Sequence, residues 1–220
     1  MVSAANNTAI LLGGAAIDSA VLDRALSLSP RLICADGGAN TAVELGLRPE
    51  AVVGDMDSVT QDTRAALDLP FHHDTDQETT DFEKALAFAK ADILICMGFL
   101  GQRLDHSLAA MNALTKFPQK RAILVGTDDI CFLSPPDVTL DTAEGDRVSL
   151  FPMTSASARS TGLRWPLDGL SLDPVSRIGT SNQATGGRVA LTGVTGKILV
   201  ILPLSHLERT VISARGQVHR

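Results

Sequence analysis

From Thr8 to Gly126 the chain alternates short apolar runs with longer mixed stretches. The runs Thr8–Leu12, Arg31–Ala35, Ala51–Val53, Leu69–His72, Ile93–Met97 and Arg121–Gly126 have strand length. Unbroken apolar runs of this kind suit strands covered on both faces of a parallel sheet. Between them lie helical signals. Leu22, Ala25, Leu26 and Leu28 form one stripe, with Asp18 placed to cap it and Pro30 to close it. Thr41–Leu45 reads as a second helix with Gly46 at its C′ position. Ser58 or Thr60 is placed to cap a third through Arg64–Leu67, and Thr80 with Glu83 forms a capping box before Phe82–Lys90. The last helix, Ser107–Lys116, turns Leu108, Met111, Ala113 and Leu114 inward. After Pro135-Pro136 the rhythm changes. Strand candidates Val138–Leu140, Arg147–Phe151, Gly187–Thr192 and Lys197–Leu202 are punctuated by Gly, Asp and Pro, and no amphipathic helix stands out. The predicted fold is an α/β N-terminal domain, residues 1–135, with a mostly parallel sheet flanked by helices. A small antiparallel all-β, sandwich-like domain, residues 136–220, follows it.

Composition narrows the class without changing this picture. A chain of 220 residues, 45% hydrophobic and 20% charged, is ordinary for a globular protein with a packed core. The net charge of -6 lacks the basic footprint of a general nucleic-acid binder. An anionic ligand would need local help from a metal, an arginine or a helix N-terminus. Cys34, Cys96 and Cys131 lie far apart with no CxxC pairing, which reads as reduced core thiols in a cytoplasmic protein and not as a zinc site. Met1 to Ala20 has no basic stretch before its apolar residues, so no signal peptide is expected. No apolar run reaches the ~20 residues of a membrane helix, so neither membrane nor nucleic acid is an expected partner.

The chemistry concentrates where strands end. Gly54-Asp55-Met56-Asp57-Ser58 follows a strand, and its two acids repel each other unless a cation or proton separates them. A pair of turn and helix-start acids is the plain alternative. Asp36 in Asp36-Gly37-Gly38-Ala39-Asn40, Asp81 with Glu78, and Asp105 stand at comparable junctions, and carboxyl ends of parallel strands converge on one edge. Hard oxygen ligands of this kind suit Mg²⁺ together with substrate phosphates. Arg103 suits bidentate phosphate contact. Asp105 is also placed as a helix cap, and His106 as a positioning or capping histidine. Gly13-Gly14 admits a phosphate or is a plain turn. These features point to phosphoryl transfer from a nucleotide. Neither G-x-x-x-x-G-K-[ST] nor G-x-G-x-x-G occurs, and G-x-S-x-G and H-E-x-x-H are missing too.

Six stretches, in this order, resemble the thiamine pyrophosphokinase family: Ala35–Asn40, Gly54–Ser58, Thr80–Leu86, Gly98–His106, Gly162-Leu163-Arg164-Trp165-Pro166-Leu167 and Gly179-Thr180-Ser181-Asn182. The resemblance implies transfer of a diphosphate from ATP to the hydroxyethyl oxygen of thiamine, with AMP released. It also implies a homodimer whose site lies between the α/β domain of one subunit and the β domain of the other. Carried over, Asp55, Asp57, Asp81 and Asp105 hold Mg²⁺ and the nucleotide phosphates, and Arg103 pairs with phosphate. Asp36, Asn40 and His106 belong to the ATP site. Trp165 stacks on thiamine, and Ser181 and Asn182 hold its pyrimidine end or shape that pocket. Thiamine carries a cationic thiazolium, which an aromatic face favours; without the resemblance, Trp165 reads as a β-domain core residue or surface patch. The chain departs from the family's D-x-T-D pattern, with Glu78-Thr79-Thr80-Asp81 in that place. Glu78 has the charge but a longer reach, and Asp74 and Asp76 are either its substitutes or solvated loop acids. Two other functions fit the same residues: a diphosphokinase for another heterocyclic alcohol such as a pterin, and a non-catalytic nucleotide or thiamine sensor.

Overall fold

The computed structural model describes residues 7–101 and 103–216. Gln102, part of one family-like stretch, and the first six residues lie outside the described residues. The chain forms two compact units, Met1–Thr127 and Asp128–Arg220.

The first unit runs β1 (Thr8–Leu12), α1 (Ser19–Leu28), β2 (Leu32–Ala35), α2 (Gly38–Glu44), β3 (Ala51–Gly54), α3 (Gln61–Ala66), β4 (Phe71–His73), α4 (Asp81–Phe88), β5 (Ile93–Met97), α5 (Leu104–Lys116) and β6 (Arg121–Val125). Its strands lie in the order β6-β5-β1-β2-β3-β4, every neighbouring pair parallel. All residues of β1, β2, β3 and β5 are buried, as their unbroken apolar runs require. The register sets Leu12 beside both Cys34 and Met97, and Ala35 beside Val53. The segments that follow β1, β2, β3 and β5 therefore leave the sheet at one edge. The strand order reverses beside β1, where open α/β sheets form a ligand crevice.

Local chemistry explains the helix limits. Asp18 Oδ1 accepts the Ala20 and Val21 amides, Thr60 caps α3, and Thr80 and Glu83 complete the capping box of α4. Leu47 N–H reaches Ala42 O and Gly46 N–H reaches Val43 O, the two bonds of a Schellman ending, with Gly46 at φ +68°. Two expectations for the last helix fail. It begins at Leu104 instead of Ser107. Leu108 is 58% exposed while Ala110, Ala113 and Leu114 are buried. Leu108 precedes Ala110 by two residues, about 200° round the helix, and so faces away from the sheet.

The second unit holds β7 (Asp129–Leu133), β8 (Val138–Asp141), β9 (Arg147–Pro152), β10 (Ser157–Thr161), β11 (Gly179–Gln183), β12 (Arg188–Thr195) and β13 (Ile198–Pro203). Two antiparallel sheets result, β11-β9-β13-β7 and β10-β12-β8. β7 joins this unit because it pairs with β13, so the compact units part at Thr127, ahead of Pro135-Pro136. The unit is not purely β. A 3-10 turn (Leu204–His206) leads into α6 (Leu207–Gly216), a helix that sequence patterning does not suggest. Its stripe is short: Leu207, Thr210 and Val211 are buried and Ile212 is exposed. Cys34, Cys96 and Cys131 are free and buried, and burial pushes the Cys34 and Cys131 thiols up to about 12. No helix among the described residues is long and apolar enough to cross a membrane.

Candidate active site

Residues that follow β1, β2, β3 and β5, together with the ends of α4 and α5, line a cleft of about 540 Å³ in the first unit. Asp36, Asn40, Asp55, Asp81, Arg103 and His106 all line it. Asp36 leaves β2 at φ 39°, a conformation sparsely populated by side-chain-bearing residues. Its Oδ2 accepts the Ser58 amide at 3.2 Å, which ties the end of β2 to the loop after β3. Its Oδ1 is buried with no hydrogen-bond partner.

The loop after β3 is built to present acids. Asp55 Oδ1 accepts the Asp57 amide at 3.1 Å, and Asp57 Oδ1 accepts the Ser58 hydroxyl at 2.8 Å. Met56 sits at φ 65°. Asn40 clamps this loop from α2, its amide donating to Ser58 O at 2.8 Å and its Oδ1 accepting from Thr60 N at 3.1 Å. Arg64 holds it from α3 through Met56 O at 2.5 Å. Gly54, at φ +150°, is required by space as well as by backbone. A Cβ there would stand 2.9 Å from Asp36 Cβ and 3.0 Å from Asp81 Oδ1.

Ligand atoms of Asp36, Asp55 and Asp57 lie within 4.8 Å of one another. Asp36 is nearly enclosed and Asp57 is exposed. Burial first, and the neighbouring Asp81 and Asp57 charges with it, raise the Asp36 carboxyl above the ordinary carboxylate range; bonds to Ser58 pull the other way. Asp81 is likewise raised by burial, against the Lys84 ammonium, which pulls it down. Asp55 is lowered, chiefly by the Asp57 amide it accepts. The set thus contains two carboxylates held in surroundings that disfavour their charge.

Asp105 stands apart from this group. Its two oxygens close on the Arg103 guanidinium, at 3.1 Å to Nε and 2.6 Å to Nη2, and this pair lowers its carboxyl to about 2. Asp76 is a turn former that accepts the Glu78 amide at 2.9 Å and the Thr79 hydroxyl at 2.8 Å. Glu78, Asp74 and Asp76 are exposed. Sequence reasoning did not single out four other cleft residues: Gln77, whose amide reaches Asp55 Oδ2 at 3.5 Å, Phe82 and Phe99, whose tilted rings lie 4.3 Å apart between centroids, and Lys84. Lys84 lies three residues after Asp81 among Phe82, Ala85 and Leu86, and that spacing was the available signal.

In the second unit, Asn182 bonds Trp165 directly, and Ser181 precedes Asn182 in β11. The Trp165 ring is 53% exposed, which removes the reading of it as a core residue. Asn182 is buried and brackets the Trp165 main chain, accepting its N–H at 3.2 Å and donating to its C=O at 2.7 Å. Ser181 sits at φ 59°, its amide donating to Ser149 Oγ at 3.0 Å. The Arg164 guanidinium lies 4.9 Å from the Trp165 ring centroid and bonds Gln183 Oε1 at 2.9 Å.

Comparison with known proteins bears on both groups. One family model, thiamin pyrophosphokinase catalytic domain, matches residues 22–125; a second, thiamin pyrophosphokinase vitamin B1 binding domain, matches residues 137–194. Thiamine pyrophosphokinase 3 of Oryza sativa subsp. japonica is 32% identical over 212 residues, covering 77% of this chain and 79% of its own length. Thiamine pyrophosphokinase of Bacillus subtilis (strain 168) is 25% identical, over 76% of this chain and 84% of the relative. The crystal structure of thiamine pyrophosphokinase from Bacillus subtilis aligns with a TM-score of 0.77 at 23% identity, covering 89% of this chain and 98% of that one. That last likeness concerns the fold.

Proposed function

The chain belongs to the thiamine pyrophosphokinase family, and we propose that it transfers the diphosphate of ATP to the hydroxyethyl oxygen of thiamine, giving thiamine diphosphate and AMP. The observation that carries the reading is the acid group at the carboxyl ends of β2 and β3. Asp36, Asp55 and Asp57 crowd ligand atoms within 4.8 Å, and one buried Asp36 oxygen has no partner. Like charges this close are costly without a cation. An all-oxygen donor set with an unpartnered buried carboxylate oxygen fits Mg²⁺. Asp36, Asp55 and Asp57 would hold the ion, with Asp81 beside them. When bound, Mg²⁺ supplies a Lewis acid for phosphate oxygens.

The chain's own residues do the rest. Arg103 binds phosphate, and Asp105 orients the guanidinium through its two bonds. Asn40 keeps the acid loop in place from α2. The glycine turns after β1 and β5 let the phosphates approach the main chain, and His106 lines the nucleotide side. Trp165 offers an aromatic face to thiamine, Asn182 sets the height of that face through the Trp165 main chain, and Ser181 completes the pocket. In a loose transition state the alcohol proton leaves late, so no strong base is needed among these residues. The same reading makes the working form a cytoplasmic homodimer, which sedimentation will test.

The decisive assay incubates purified protein with ATP, Mg²⁺ and thiamine. Equal amounts of AMP and thiamine diphosphate are expected. AMP release only with another alcohol, such as a pterin, contradicts the substrate assignment. Binding of ATP and thiamine with no AMP formed contradicts catalysis.

A further inference from the structure

Lys84 is the cation that the acid cleft encloses. It lies on the first turn of α4, its side chain is only 3% exposed, and it lines the cleft. Lysine is almost never buried unless paired, because desolvating an ammonium is expensive. Its ion pair is loose: Nζ stands 3.6 Å from Asp81 Oδ1. A charge-assisted hydrogen bond would be nearer 2.8 Å. An ammonium carries three donors, so this one contact does not account for its burial. The other strong cation of the cleft lining, Arg103, is exposed and already closed on Asp105. Besides Asp81, the Lys84 charge acts on the carboxylates of Asp55 and Asp76, lowering both.

We propose that Lys84 is a substrate-binding catalytic residue whose ammonium donates to the oxygens of the diphosphate that is transferred, from a position fixed by Asp81. The inference rests on the ATP-dependent diphosphate transfer set out above. That reaction places a polyanion in a cleft lined by Asp36, Asp55 and Asp81, where one divalent cation leaves the acids and the phosphates under-neutralised. A buried ammonium supplies fixed positive charge where water is excluded and Coulomb interactions are strong. It also explains a buried lysine between Phe82 and Leu86 of α4, where the neighbouring Glu83 is already bonded to Lys116 and to the Thr80 amide.

The test separates the diphosphate from the rest of the nucleotide. Binding of AMP and of α,β-methylene-ATP, which cannot be cleaved between its α and β phosphates, is measured calorimetrically with Mg²⁺ for wild type, Lys84→Met and Lys84→Gln. Loss of one charged hydrogen bond weakens α,β-methylene-ATP about tenfold or more while AMP binding stays within about twofold. Turnover falls about 100-fold, the usual scale for one preorganised donor. A structural role predicts instead that both ligands weaken together with a fall in melting temperature, and that result overturns the proposal. Equal analogue affinity in wild type and both variants also overturns it, leaving the overall reaction untouched. A wild type that binds neither nucleotide overturns the ATP reading and the Lys84 role with it. Two variants are used because the methionine fills the lysine stem's volume whereas the glutamine keeps a polar tip. Selective loss of analogue binding in either folded variant supports the proposal.

Discussion

In the first unit, Asp36 keeps a buried carboxylate oxygen with no partner; in the second, the buried Asn182 amide bonds both ends of the Trp165 peptide. The contrast extends to the neighbours. Around Asp36, acids face acids, and burial raises two of them above the ordinary carboxylate range. Around Trp165, polar groups are matched internally and an aromatic ring is left in solvent. An unsatisfied buried charge asks for a ligand from outside. A satisfied platform needs nothing to be stable and offers shape. The two share one device. The side-chain-bearing residues with positive φ among those described are Asp36, Met56 and Ser181, each within one of these groups. Backbone of this kind persists only where surrounding contacts impose it.

The largest effect is expected where charge is unsatisfied. Asp55→Asn removes one cleft carboxylate, and kcat/KM should fall about 100-fold or more, the scale of one preorganised electrostatic contact, while the melting temperature barely moves because Asp55 is only partly buried. Steady-state kinetics beside a thermal melt decide this; unchanged Mg²⁺-dependent activity would return Asp55 to the role of a turn former. Next comes Gly54→Ala. Its φ of +150° and the Asp36 and Asp81 contacts within 3.0 Å of a new Cβ make it costly, on the order of 2 kcal/mol of stability. Denaturant unfolding reads it, and a loss well under 1 kcal/mol would show that the loop yields.

The platform should respond differently. Trp165→Ala is expected to raise the thiamine KM about tenfold, with kcat and melting temperature nearly kept, since the ring is 53% exposed. Asn182→Ala should lower the melting temperature as well, because it leaves part-buried main-chain groups of Trp165 without these partners. If the two variants melt alike, the division between platform and support is wrong.

The smallest effect concerns pH. Asp36 has its carboxyl raised in the folded state, so the folded protein binds that proton more tightly than the unfolded chain does. Its contribution to stability is present at acid pH and is lost as pH rises through the folded value. Metal-free Asp36→Asn should therefore melt above wild type at pH 7, and the gap should close as pH falls toward the ordinary carboxylate range. A gap that widens on acidification contradicts the sign.

Much of the first unit was legible in the sequence because parallel strands buried on both faces read as plain apolar runs, and because Asp18, Thr60 and the Thr80–Glu83 box carry their own geometry. The acid-bearing strand ends followed from that layout. Other features were hidden for physical reasons. β10 and β11, SARST and GTSNQ, are polar strands with no apolar run to mark them. α6 has a stripe of only three buried residues and includes β-branched Thr210, Val211 and Ile212, which lowers its helical signal. Leu108 faces outward against expectation because helix rotation depends on where the first turn begins. Asp105 belongs with the other acids by its place at a helix start, while its oxygens close on Arg103 in space. The burial of Lys84 has no mark in the sequence, since a residue's burial depends on what packs over it.

The claim that unites these observations is that the unsatisfied carboxylates after β2 and β3 form the metal-phosphate site. Calorimetric titration of Mg²⁺ in the presence of α,β-methylene-ATP tests it directly. Wild type and Trp165→Ala should bind Mg²⁺ alike, and Asp36→Asn and Asp55→Asn should each lose that binding by about tenfold or more, as removal of a charged partner implies. Equal Mg²⁺ affinity in all four proteins would contradict the account.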